Sequence, residues 1–335
     1  MRKQTALFAS ILFASSLAFA LRPAAQEKPI VMGDGPQKYE WVRNWLQLPE
    51  KQEQLGNTHG GIVVDAQGLI YVNTDTTKAI MVYDKDGKYL RSFGEEYAGG
   101  VHGMLLAKED GKEVLYLVHT GQNSASKLSL DGKTIWSIPW PQESGKYTKA
   151  DEYHPTGIAL GPTGDIYIAD GYGKSWVHHY SKDRKYLSSF GGPGAEPGQM
   201  NTPHGIALDT RTNPPTLLVA DRANHRLQVF DLDGKFQKVI EGFRLPCSVD
   251  IQGEYVVVAD LQGRVTILNG KNEVVTQLGD NPNEALRGNH DATKEQWADG
   301  LFTAPHSAHW DAEGNLYVMD WNVLGRVSKL KRVKG

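Results

Sequence analysis

The chain has 335 residues, enough for one large or two ordinary domains. Its 36 glycines, 16 prolines and 40% hydrophobic content suit a turn-rich all-β protein better than a helical one. The net charge is −3 and no long basic run appears, so no nucleic-acid partner is expected.

The N-terminus, MRKQTALFASILFASSLAFALRPAAQEK, reads as a secretory signal peptide. Arg2 and Lys3 form the basic start, and residues 6–20 are apolar and small, too short to span a bilayer comfortably. An A-x-A site ends at Ala20, and a second choice ends at Ala25. A retained anchor is the alternative. The expected mature chain, residues 26–335, is one domain, secreted or periplasmic in a bacterium and free of the membrane after cleavage. Cys247 is the sole cysteine, so no intrachain disulfide can form, which suits that compartment.

Beyond the leader, one pattern recurs along the chain. It begins with GGIVVDAQGLIYVNTD at 60 and HGMLLAKEDGKEVLYLVHT at 102. It returns as TGIALGPTGDIYIADG at 156, HGIALDTRTNPPTLLVADR at 204, CSVDIQGEYVVVADL at 247 and HSAHWDAEGNLYVMDW at 306. Each copy is an apolar strand, a turn rich in Gly or Asp, and a second strand ending near Asp. Four copies then continue through a third strand into a DGK-like hairpin turn. The mean spacing of about 49 residues is that of propeller blades. These units predict an all-β, six-bladed β-propeller. The last unit runs out after its third strand, and YEWVRNW (39–45) alternates as a strand should. It is expected to supply the missing outer strand and join the two ends of the chain. Polar insertions at 140–153 and 278–300 are expected to cap one face.

The residue heading each inner strand is Gly60, His102, Thr156, His204, Cys247 and His306. Histidine takes every second blade, at intervals of 102 residues. Alternate blades of a six-membered ring lie 120° apart, so three imidazoles converge on the axis. Any one alone reads as a core histidine; together they form a catalytic-type zinc set with a fourth position open. Cys247, in the slot between two ligand blades, reads as a small buried residue, with an extra ligand as the alternative. His178 and His179 are assigned to an outer strand as solvated side chains, and His225 and His290 to loops. His59 and His154 precede the slot by one and two residues and are expected at the surface, with lining the mouth as the alternative. Asp170, Asp221, Asp260 and Asp320 recur at one blade position and read as structural. Tyr172 and Arg222 break the pattern of their repeats at the same mouth. A phenol there can move a proton and a guanidinium can hold a carboxylate, with packing roles as the alternative for each.

These segments look like NHL-type blades. HPTGIALGPTGDIYIADGYGKS, TPHGIALD, ADRANHRLQVF and APHSAHWDAEGNLYVMD resemble the peptidyl-α-hydroxyglycine α-amidating lyase (peptidylamidoglycolate lyase) family of secreted zinc propellers. The resemblance implies zinc ligands at His102, His204 and His306, a catalytic tyrosine at Tyr172 and a substrate-binding arginine at Arg222. It implies cleavage of a carbinolamide C–N bond to an amide and glyoxylate, on a small-molecule or peptide substrate supplied by a monooxygenase partner. Two departures stand out. The family's second arginine falls in VNTDTTK, where Thr74 and Asp75 stand and Lys78 is the nearest cation. The family's calcium-ligating aspartate after the third histidine is Ser307 here, so a structural Ca2+ ion is disfavoured. The disulfide cysteines of animal members are absent. The alternatives are a related zinc lyase or hydrolase acting on another small polar substrate, and a non-catalytic propeller that binds a peptide or glycan. A gluconolactonase-like enzyme is a third, but its calcium sites are carboxylate-rich and this slot carries no acid.

Overall fold

The computed structural model describes residues 28–334. The signal-peptide reading therefore lies outside the described residues. The described chain is almost entirely β: six antiparallel sheets, five of four strands and one of five. The innermost strands are Ile62–Val64, Val101–Glu109, Gly157–Leu160, Pro203–Asp209, Pro246–Gln252 and Pro305–Trp310. Each blade runs outward from its inner strand in sequence order, because two-to-six-residue turns return the chain to the adjacent position. The sixth blade is completed from the other end of the chain. Gln37–Val42 pairs with Arg326–Arg332, with Tyr39 opposite Arg332 and Trp41 opposite Leu330. A further strand, Val31–Asp34, adds a fifth position outside it.

The hydrophobic core sits between blades, not inside one sheet. Six apolar clusters each join two neighbouring blades: Val72, Tyr83 and Tyr317 pack blade one on blade six, and Tyr167, Val219 and Phe230 pack blade three on blade four. Second and third strands are thus covered on both faces. This explains unbroken apolar runs such as Tyr255–Asp260, where four consecutive residues, Val256 to Ala259, are fully buried. Each such Val or Leu contributes about 1.5–3 kcal/mol on burial.

The blade turns are set by side chains. In blade one Asp84 Oδ1 accepts from the backbone N–H of Asp86 and Lys88, both at 2.9 Å. Asp231 and Asp311 do the same in blades four and six. The aspartates that end the second strands have a different task. Asp221 accepts from the Asn201 N–H at 2.7 Å, Asp260 from Arg244 and Leu245, and Asp320 from Thr303 and Ala304. Each fully buried carboxylate also faces an arginine of the third strand: Arg226, Arg264 or Arg326. These acids hold the segment that leads into the inner strand, and so fix where the strand head points.

Candidate metal centre

The inner-strand heads meet on the axis. His102, His204 and His306 are each 2% exposed, and their ring centroids form a near-equilateral triangle of 4.6, 4.7 and 4.8 Å. The glycine that follows two of them allows this approach. A Cβ on Gly205 would lie 2.4 Å from the Cys247 carbonyl, and one on Gly103 2.7 Å from that of Thr156.

Each imidazole is held by the next blade. His102 Nδ1 lies 2.7 Å from the Thr156 carbonyl, His204 Nδ1 2.9 Å from that of Cys247, and His306 Nδ1 3.0 Å from that of Gly60. A carbonyl only accepts, so all three rings carry their proton on Nδ1 and present a bare Nε2 lone pair to the axis. Burial pushes all three far below the usual histidine range, so they are neutral at pH 7. Above them lies Tyr172, whose hydroxyl is 3.3 Å from His102 Nε2 and 3.0 Å from His204 Nε2. One phenolic proton cannot satisfy both lone pairs, and His306 Nε2 is buried with no hydrogen-bond partner at all. What this donor set lacks is a cation. Three neutral imidazoles converging on one point fit a divalent metal.

The rest of the mouth is built on the turns after the second strands. Tyr172 follows Ile166–Ala169, and Arg222 opens a single 3-10 turn after Thr216–Asp221. Arg222 Nη1 donates to the Tyr172 hydroxyl at 3.2 Å, and its guanidinium stacks 5.1 Å from the phenol centroid. Burial raises the Tyr172 phenol above its ordinary value, with Arg222 opposing. Tyr172 is therefore a neutral hydroxyl at rest. Cys247 is fully buried, 4.0 Å from Arg222 Nη1, and burial raises its thiol to about 11. One donor atom from each of His204, Cys247 and His306 lies within 4.8 Å of the others.

Several side chains sit differently from the sequence expectation. His59 is not at the surface: it is half-buried at the axis, 4.8 Å from His306 and 5.0 Å from His102 by ring centroids. Burial lowers it to about 4. It occupies the position that Pro203, Pro246 and Pro305 hold in later blades, which is the sequence signal for it. His154 is half-buried and bonds the Thr120 carbonyl at 3.0 Å. His178 and His179 are buried, not solvated, because the third strand is covered on both faces. His178 bonds Tyr147 and Ser189, and His179 stacks on Tyr167. Lys78 does not stand in for the arginine of blade one: its Nζ bonds Gln52 at 2.8 Å and lies over Tyr89. Asp75 takes the blade position of Arg222, and its carboxylate accepts from Asn57. Ser307 accepts from the Ile62 N–H at 3.2 Å, a bond between blades six and one.

Fold and site together define a six-bladed β-propeller with a histidine-lined axis able to take a metal ion. A sequence model of the NHL repeat matches residues 153–180. Human NHL repeat-containing protein 3 is 29% identical over 232 residues, 64% of this chain and 65% of that one, so the match spans just under two thirds of the relative. A Caenorhabditis elegans protein named probable peptidyl-alpha-hydroxyglycine alpha-amidating lyase pgal-1 is 26% identical over 161 residues, 46% of this chain and 43% of that one. The solved structure of a streptogramin B lyase superposes with a TM-score of 0.60 at 15% identity, over 88% of this chain and 97% of that one, a likeness of fold. The chain is a six-bladed propeller with one NHL-repeat match, in its third blade, and is homologous at low identity to the peptidyl-α-hydroxyglycine α-amidating enzymes.

Proposed function

We propose that this protein is an exported, zinc-dependent carbon–nitrogen lyase that cleaves a carbinolamide to an amide and glyoxylate. The observation that carries the reading is the axis itself: three Nε2 lone pairs without enough protons to satisfy them, beneath a tyrosine hydroxyl and a buried guanidinium. The resemblance to the amidating lyases supports the substrate class. Zinc held by His102, His204 and His306 supplies Lewis acidity that makes a substrate hydroxyl easier to deprotonate.

The chain's own residues account for the rest. Breaking the C–N bond moves a pair of electrons onto nitrogen, so the hydroxyl proton must leave oxygen and a proton must reach the amide. Tyr172, a neutral phenol beside the triangle, is placed to give its own proton to the departing nitrogen and to take the hydroxyl proton in its place, so that it ends as it began. Arg222, bonded to that phenol's hydroxyl, keeps its charge and holds the substrate carboxylate. Stacking between the two fixes the distance between the carboxylate and the proton-transfer step.

One observation favours a second reading within the same class. Asp75, an acid, stands where a second arginine would help to bind a carboxylate, and burial raises its pKa. A zinc lyase or hydrolase acting on another small polar substrate follows from that. Metal analysis of untagged protein, with glyoxylate release from α-hydroxyhippurate as the activity, tests both readings. About one zinc per chain is expected, lost in His204→Ala. Zinc without glyoxylate leaves the second reading; folded protein that refuses zinc ends both. Export, and a monooxygenase that supplies the substrate, belong to the same proposal. A native protein that starts at Met1 overturns export.

A further inference from the structure

The histidine triangle does not use up the donors around the axis. His59 sits on its rim, one residue before the slot of blade one. Pro155, Pro203, Pro246 and Pro305 hold that position in blades three to six. A proline ring offers no ligand; an imidazole there adds a fourth nitrogen at the mouth. We propose that His59 is a fourth imidazole ligand of this metal centre, closing the coordination sphere of the resting protein and giving way when an oxygen donor of the substrate arrives. The inference rests on the metal reading above and adds a ligand to it.

Three observations support it. First, His59 makes a second triangle on the edge between His102 and His306. Its ring centroid is 5.0 and 4.8 Å from theirs, close to the 4.6–4.8 Å spacings of the first triangle. One donor atom from each of these three lies within 4.8 Å of the other two. Second, its Nε2 approaches the same atom as two of the triangle's nitrogens. It lies 3.2 Å from the Tyr172 hydroxyl, the atom that His102 and His204 Nε2 also approach at 3.3 and 3.0 Å. Third, His59 is held differently from the other ligands. His102, His204 and His306 are each pinned through Nδ1 to a backbone carbonyl. The His59 ring is instead held at one end of a stack. It stacks on Trp321 at 5.0 Å and 29°, and Trp321 stacks on His290 of the 278–300 insertion at 4.4 Å and 9°. Stacking fixes the plane of a ring but permits sliding, whereas a Nδ1–carbonyl bond fixes the direction of Nε2 as well.

The chemical consequence is specific. A three-histidine zinc site keeps a water in its fourth position. A fourth imidazole replaces that water, so the resting metal has no exchangeable oxygen. The fixed trio retains the metal while the stacked ligand leaves and returns.

X-ray absorption at the zinc edge of the full-length protein counts imidazoles directly. The expected wild-type count is four nitrogens and no oxygen. His59→Phe keeps a ring on Trp321 but removes both nitrogens. The expected count then falls to three nitrogens and one oxygen, and chelator competition shows zinc held about tenfold or more weakly. Cobalt substitution supplies an independent readout, since the visible bands change when an oxygen replaces a nitrogen. Three nitrogens and one oxygen in the wild type overturn the assignment of His59 and leave the metal site standing. A wild type that binds no metal overturns both. The wild-type count decides the matter even where the variant fails to fold.

Discussion

Tyr172→Phe removes one oxygen and tests the proposed chemistry most directly. The hydroxyl lies within 3.0–3.3 Å of three imidazole nitrogens and accepts from Arg222 Nη1 at 3.2 Å. Its loss takes away the group placed to move a proton, an effect of roughly 10²–10⁴ on kcat for general acid–base catalysis. At about 1.4 kcal/mol per decade, that corresponds to about 3–6 kcal/mol of transition-state stabilisation. Substrate binding changes little, because the Arg222 charge remains. Stability falls by less, about 1–3 kcal/mol, the cost of leaving one buried N–H without its acceptor. Zinc content stays at the wild-type level, since the hydroxyl is not among the proposed ligands. Arg222→Ala is the contrasting variant: it keeps the phenol and raises KM for a carboxylate substrate. The assay is glyoxylate release under saturating and limiting substrate, with metal content and thermal melting measured on the same preparations. A Tyr172→Phe protein that retains wild-type kcat with zinc bound refutes the proton-transfer role and leaves Tyr172 a packing residue.

Asp75→Arg restores a guanidinium to the second strand end of blade one, and glyoxylate release is expected to rise; an unchanged or lower rate shows that this position does not face the substrate carboxylate. Asp221→Ala leaves Arg226 buried opposite no carboxylate and the Asn201 N–H unpaired, a loss of about 3–5 kcal/mol. At about 2–4 °C per kcal/mol, the melting temperature falls by roughly 6 °C or more, and a shift under 2 °C refutes the structural role. His178, far from the metal, is held neutral with its pKa lowered to about 3 by burial. The unfolded chain binds its proton near pH 6.5 and the folded chain does not, so its contribution to stability is complete above pH 6.5. That contribution is lost as pH falls from 6.5 toward 3, at about 1.4 kcal/mol per pH unit. Chemical denaturation of wild type and His178→Gln across pH 4–7 is expected to show the shallower slope in the variant.

The sequence carried the fold because a propeller writes the same physical problem six times. Each blade needs a half-buried inner strand, two strands covered on both faces and a tight turn, and these requirements leave aligned copies that can be compared position by position. The alternating histidines were legible for the same reason: a residue at a repeated slot faces the axis whichever blade it belongs to. Ring closure by the segment around Tyr39 and Trp41 was legible from the missing strand of the last blade, whereas Val31–Asp34, short and mostly exposed, left no apolar pattern. The reading went astray where it judged a residue by its own strand. His178 and His179 alternate like residues of a half-exposed strand, yet neighbouring blades stack on both faces of the third strand and bury the pair.

His59 departs from the repeat one position before the axial slot. A histidine stands there in blade one where four later blades carry proline. What no comparison of repeats could supply is its neighbourhood. Trp321 comes from the last blade and His290 from the insertion that precedes it, so the stack of His290 on Trp321 and Trp321 on His59 depends on closure of the ring. The ring brings residue 59 against residue 321 because the first and last blades must touch. The most distinctive part of the mouth therefore lies at the seam, where the two ends of the chain meet and the constraint to resemble the other blades is weakest. The ligands common to the alternate blades hold a fixed geometry, and the seam is where this chain varies what stands over it.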